Sequence, residues 1–215
     1  MLSFQKKFLF IHFPKTGGNS IQEVLKDFSE DEIITPAAHQ DGIERFEVYN
    51  KKHQLNKHAA LDDYKSALDR KTYRSLFKFS VIRNPWDRMI SYYFSPHRGV
   101  TEWDRGQFLE LVQNLPPCRK YICETSIAEK VAKRVGFDSF IPRKKLDSDL
   151  DYLIRFEHLE DDFKIVCRKI GIPCSPLAQR NRSGRRHYSE YYDDELREGV
   201  QRRFSDEIRF GGYTF

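Results

Sequence analysis

Long apolar runs are missing from this chain. No uncharged stretch approaches the roughly 18 residues that a bilayer-spanning helix needs, and Met1–Lys7 has no apolar core of the secretory-signal kind. The sequence therefore predicts a cytoplasmic protein with no transmembrane segment. Cysteine is also scarce. Cys118, Cys123, Cys167 and Cys174 form two loose pairs without CxxC spacing, which excludes a zinc knuckle or a dithiol redox motif. Reduced structural thiols are the reading, with a Cys118–Cys123 bridge as the lesser alternative. Nor is there a large excess of one charge. Lys and Arg total 37 against 32 Asp and Glu, a net +5, too little for a histone-like or tail-type nucleic-acid binder but compatible with a basic pocket around a small anion.

What is present is aromatic bulk. Hydrophobic residues make up only 39% and charged residues 32%, yet 17 Phe and 11 Tyr supply core material that disordered chains lack. A length of 215 residues suits one α/β domain spanning 1–215. Lys7–Phe13 reads as a buried strand, Pro14–Gly18 as a Gly-rich turn, and Ile21, Val24, Leu25 and Phe28 as the apolar face of a helix. Ser29–Lys57 is polar and lacks sustained periodicity, so it reads as an irregular connection or insertion. A helix over Leu61–Leu68 precedes a second strand, Leu76–Ile82. Asn84 then serves as N-cap, Pro85 as first helical residue and Asp87 as dipole complement of a helix running to Pro96. Phe108–Leu115 predicts another helix. Asp151–Phe156 is a third strand candidate, and the helix after it is closed by Gly171 and Pro173. This recurring strand-then-helix rhythm predicts an α/β fold with a P-loop-like central parallel sheet flanked by helices, its ligand lying outside the carboxyl ends of the strands.

Chemistry should therefore gather in the turns after the first two strands. Pro14-Lys15-Thr16-Gly17-Gly18-Asn19-Ser20 has the parts of a phosphate cradle: glycines that let N–H groups approach, side-chain donors on Thr16, Asn19 and Ser20, and a helix N-terminus. Lys15 precedes the glycines, the reverse of a Walker A loop. The bland alternative is a Gly-rich turn with a solvated lysine. A second anion site is offered by Arg83 with Ser91, aided by Arg88; here the alternative is a capped helix with Arg88 in a surface salt bridge. Two such sites suggest a ligand phosphorylated at two places. Arg180, Arg182, Arg185 and Arg186 form a further basic run that by pattern alone is a solvated surface.

Phe10–Ser20 resembles the 5′-phosphosulfate loop, and Val81–Tyr93 the 3′-phosphate motif, of sulfotransferases that use 3′-phosphoadenosine 5′-phosphosulfate (PAPS). The similarity is to the family-2 type, which includes carbohydrate sulfotransferases. It extends to Lys57-His58-Ala59, Arg155–Phe163, Asn181-Arg182-Ser183 and Phe210–Phe215, and leaves Ser29–Asn56 and Pro96–Leu150 unmatched. The resemblance implies a sulfotransferase fold and transfer of SO₃ to a hydroxyl of a glycan, glycolipid or small molecule, with PAP as product and no obligatory metal. Lys15 would neutralise the leaving oxygen, and Pro14 to Ser20 would hold the 5′-phosphate. Arg83 and Ser91 would bind the 3′-phosphate, with Ser183 and Arg185 or Arg186 closing over it.

The family context also points to His58 as the base, because an imidazole titrates near neutrality. His39 is the runner-up, and His12 reads as a strand residue. Glu157 either orients a site residue or merely begins a helix. Acceptor choice would lie in the unmatched stretches. Unlike membrane-bound relatives, the chain shows no N-terminal anchor, which suits a soluble cytoplasmic enzyme, and its short middle region suits a small acceptor as well as a polysaccharide. The rivals are a small-molecule kinase using ATP and magnesium, and a non-catalytic anion- or glycan-binding module on the same fold.

Overall fold

The computed structural model describes residues 1–38, 44–126, 149–178 and 185–215. In chain order its elements are β1 (Leu2–Ser3), β2 (Phe8–Ile11), α1 (Gly18–Leu25), β3 (Glu32–Ala38), β4 (Glu44–Asn50), β5 (Leu55–Asn56), α2 (Leu61–Ala67), α3 (Arg70–Ser75), β6 (Phe77–Ile82), α4 (Pro85–Tyr93), α5 (Arg105–Asn114), α6 (Arg119–Ile122), β7 (Tyr152–Arg155), α7 (Leu159–Ile170), α8 (Asp194–Arg203) and α9 (Ser205–Gly211).

All four residues of Phe8–Ile11 are buried because β2 lies inside a sheet covered on both faces. The order is β1-β2-β6-β7: β1 runs antiparallel to β2, while β2, β6 and β7 are parallel. Side chains alternate between the two faces. Phe8 and Phe10 join Phe79, Val81 and Ile154 in one core with Ile21 and Leu25 of α1 and Phe163 and Val166 of α7. Leu9 and Ile11 point the other way, into a core shared with Leu61 and Tyr64 of α2, Tyr73 of α3 and Ile122 of α6. A third cluster, built on Ile82, Trp86, Met89, Ile90 and Tyr93, packs α4 against α5, α8 and Tyr213. The expected α/β architecture with a mostly parallel sheet is thus present.

The stretch read as irregular differs. β3, β4 and β5 form a separate antiparallel sheet, with a register shift between Ile34 and Ala37. Pro36 falls inside that shift on an edge strand, where a missing N–H is tolerated. The charged residues spread through these strands conceal their period-two pattern. Among the described residues no helix is long and apolar enough to cross a membrane. All four thiols are free; Cys118, Cys123 and Cys167 are buried and Cys174 is exposed.

Register positions the site. Ile11, the last residue of β2, pairs with Ser80 of β6, and the Ser80 hydroxyl donates to the Ile11 carbonyl at 2.7 Å. The Pro14–Ser20 loop and the Arg83–Asp87 turn consequently leave adjacent strands at the same end of the sheet.

Candidate active site

The loop after β2 is held in an uncommon backbone shape. Lys15 and Gly17 both have positive φ, 67° and 80°, and Gly17 is the N-cap of α1. Only glycine adopts that region without strain; at Lys15 the surroundings must impose it. One restraint is Arg83, whose Nη1 donates to the Lys15 carbonyl at 3.1 Å. Behind the loop there is no spare room. A Cβ on Gly17 would lie 3.0 Å from the Phe156 ring and 3.2 Å from Leu159, and one on Gly18 would run into the His12 ring.

Lys15 Nζ donates to Ser95 Oγ at 2.9 Å. Burial, reinforced by the charges of Arg83 and Arg185, brings its ammonium down from the usual lysine range to about 8. The hydroxyls beside it are committed elsewhere. Thr16 Oγ1 donates to the Phe13 carbonyl and Ser20 Oγ to the Ala178 carbonyl, each at 2.7 Å. Those two side chains close the loop, and the N–H groups at the start of α1 are the kind of backbone donors an anion can use. Pro14 is half-buried in the loop. Asn19 Oδ1 is buried without a hydrogen-bond partner.

Arg83 is fixed on every side. Its Nε and Nη2 donate to Asp87 Oδ2 at 2.7 and 2.6 Å, its Nη1 reaches Ser91 Oγ at 3.3 Å, and its plane lies 4.0 Å over the Phe156 ring. The other oxygen of Asp87 accepts from Arg185. Burial pushes the Asp87 carboxyl up, but Arg83 and Arg185 outweigh it and hold it below the usual carboxylate range. Asn84 caps α4 as expected, accepting from Trp86 and Asp87 N–H groups at 3.0 and 3.3 Å.

Lys15, Arg83, Ser91 and Arg185 are therefore joined in one contact network. Arg186 is not in it: it pairs with Glu190 at the surface, 3.4 Å away, and covers Tyr191. Arg88, expected beside Ser91 or in a surface pair, is instead buried, bonded to Glu207 at 3.2 Å between the rings of Phe13 and Phe204. His58 is exposed near His12. Their rings are 5.0 Å apart, and His58 Nδ1 lies 3.4 Å from the His12 carbonyl. A carbonyl only accepts, so any hydrogen in that contact is carried by Nδ1. The buried His12 imidazole is driven well below its usual value by desolvation, then by the charges of His58 and Lys57. His39, Asn181 and Ser183 lie outside the described residues.

The model of the sulfotransferase family, Sulfotransfer_2, matches residues 1–214. The chain belongs to the sulfotransferase family. A search of curated proteins returns no match. Among solved structures it is similar to mouse sulfotransferase SULT7A1 complexed with PAP, at 15% identity over 96% of this chain and 86% of that one, with a TM-score of 0.43. Family membership makes the chain a sulfuryl-group transferase. In a sulfotransferase the chemistry is departure of an anion from sulfur, and a site that concentrates one ammonium and two guanidiniums is suited to stabilise it. Three contributors escaped the sequence reading: Ser95, which holds Lys15; Asp87, which joins two arginines; and Phe156, which backs both Gly17 and Arg83. In the sequence Asp87 reads as a helix-start acid, and its spacing of four from Arg83 also signals a pair.

Proposed function

We propose that the chain, as one domain over residues 1–215, is a PAPS-dependent sulfotransferase that moves a sulfuryl group to an acceptor hydroxyl and releases PAP. The observation carrying this reading is the Arg83 Nη1 to Lys15 carbonyl bond, which joins a cationic loop at the end of β2 to a guanidinium at the end of β6. The donor set fits a nucleotide with two separate anionic groups. Lys15 and the first N–H groups of α1 would take the phosphosulfate, and Arg83, Ser91 and Arg185 the 3′-phosphate. Arg186 would join only by leaving Glu190, and Ser183 belongs to the same closing segment by resemblance.

His58 Nε2 would take the proton of the acceptor hydroxyl as its oxygen forms the new bond to sulfur. The bridging oxygen–sulfur bond breaks, its electron pair stays on the 5′-phosphate oxygen, and Lys15 neutralises the charge gained there. The transferred group carries less charge than a phosphoryl group, so a lysine suffices and the scheme requires no metal. The acceptor would be a hydroxyl of a glycan, glycolipid or small molecule. An exposed free thiol at Cys174 suits a reducing compartment, the cytoplasm.

Calorimetry with PAP, 5′-AMP and ATP tests the reading. PAP should bind at least about tenfold more tightly than 5′-AMP, a gain that one charged hydrogen bond readily supplies, and Arg83→Ala should erase the difference. Equal affinity for PAP and 5′-AMP, or preference for magnesium-ATP, would reject it in favour of a phosphotransferase or a general anion-binding module.

A further inference from the structure

Behind the anion site lies a second layer of contacts that the proposed chemistry does not use. Glu157 follows Phe156 in the turn after β7 and divides its carboxylate between two partners. One oxygen accepts the Asn84 N–H at 2.8 Å, and the other accepts the Tyr213 hydroxyl at 2.8 Å. Asn84 is the residue after Arg83, and its Nδ2 donates to the Thr214 carbonyl at 3.3 Å. Tyr213 itself is set firmly. Its N–H donates to the Ile208 carbonyl at 3.0 Å, and the Arg155 guanidinium lies 5.0 Å over its ring. Gly211 leaves room for that ring, since a Cβ there would run into it. Phe215 packs edge-on against Trp86, with centroids 5.6 Å apart. Residues 211–215 therefore strap the turn after β6 to the turn after β7.

The consequence falls on Arg83. Its guanidinium is held between its own turn and the Phe156 ring, and the same ring backs Gly17. Any shift of one turn against the other would move the arginine relative to Ser91 and the loop. We infer that Glu157 and Tyr213 are positioning residues that set Arg83 for recognition of a nucleotide's second phosphate, an inference resting on the Arg83 role proposed above. The Glu157 carboxylate accepts from two donors, and burial followed by the Glu157 charge raises Tyr213, so its hydroxyl stays protonated.

The test measures affinity for PAP and for 5′-AMP, together with melting temperature, in the full chain and in Arg83→Ala, Tyr213→Phe, Glu157→Ala and Glu157→Gln. Tyr213→Phe and Glu157→Ala should lower the PAP to 5′-AMP affinity ratio about tenfold, the worth of a hydrogen bond to a charged group, while 5′-AMP binding is kept. Glu157→Gln should recover most of the ratio, because its amide oxygen still accepts from Asn84 and its NH₂ can donate to the tyrosine oxygen. If Arg83→Ala keeps the ratio, the role of Arg83 is wrong. If Arg83→Ala loses it but Tyr213→Phe and Glu157→Ala do not, the positioning inference is overturned. It is equally overturned if both ligands weaken in step or only the melting temperature falls. Should Glu157→Ala not fold, Tyr213→Phe, which removes a single oxygen, decides the matter.

Discussion

A lysine on a positive-φ backbone, partly out of water and beside two guanidiniums, gives up its proton more readily than a solvated one. Protonated Lys15 is the form that neutralises a leaving anion, so kcat/KM for the donor should fall as pH rises through about 8. A bound dianion favours the ammonium, which moves the corresponding fall in kcat to higher pH. Lys15→Arg should shift the limb of kcat/KM out of the measurable range, and Lys15→Ala should lower turnover about 10²–10³-fold, as loss of one transition-state donor does. Between pH about 8 and the ordinary lysine range the unfolded chain holds more protons here than the folded one, so the cost this buried ammonium places on the fold is relieved as pH rises. Gly17→Ala meets both a φ of 80° and the Phe156 ring. It should destabilise by about 1–3 kcal/mol in thermal melts and weaken nucleotide binding. The lysine-first order and the Asn84 cap were legible because both depend on neighbours in sequence. The destinations of the Thr16 and Ser20 hydroxyl protons were not, because their acceptors are set by folding, with Ala178 far along the chain.

At the scale of elements, α4 carries Asp87 and Ser91, the partners of Arg83, and is anchored to α9 through Arg88 and Glu207. The two side chains are 1% and 0% exposed, and the second Glu207 bond comes from the Cys118 N–H at 2.8 Å. Removing one partner strands a buried charge, so Glu207→Ala should cost about 3–5 kcal/mol, measured by denaturant unfolding. Replacing both residues together with apolar ones of similar volume should cost distinctly less. The sequence showed the strand-helix units well, since Phe8–Ile11 is a continuous apolar run and Phe77–Ile82 has four apolar residues of six, each leading into a turn. It concealed the β3–β4 pairing, whose strands mix charges with a proline and depend on each other for their backbone hydrogen bonds. Arg88 differs from its sequence expectation for a related reason. An arginine looks like surface until a distant acid, 119 positions on, accompanies it into the core.

For the whole molecule, a net charge of +5 is modest and says little until its distribution is known. Lys15 and Arg83 follow the ends of two adjacent parallel strands, and the Asp87 carboxylate ties Arg185 to Arg83. That arrangement gives part of the surplus a place, in a chain whose sulfotransferase family match covers residues 1–214. Glu157 and Tyr213 would hold the arrangement rigid from behind. The most direct measurement follows the sulfuryl group itself: ³⁵S-labelled PAPS is incubated with a panel of hydroxylated glycans, glycolipids and metabolites, using the native chain and Lys15→Ala. The expected result is label on at least one acceptor with the native chain and loss of that transfer in Lys15→Ala, while PAP still binds the variant. Transfer that survives in Lys15→Ala, or label on no acceptor alongside phosphoryl transfer from ATP to the same panel, would contradict it.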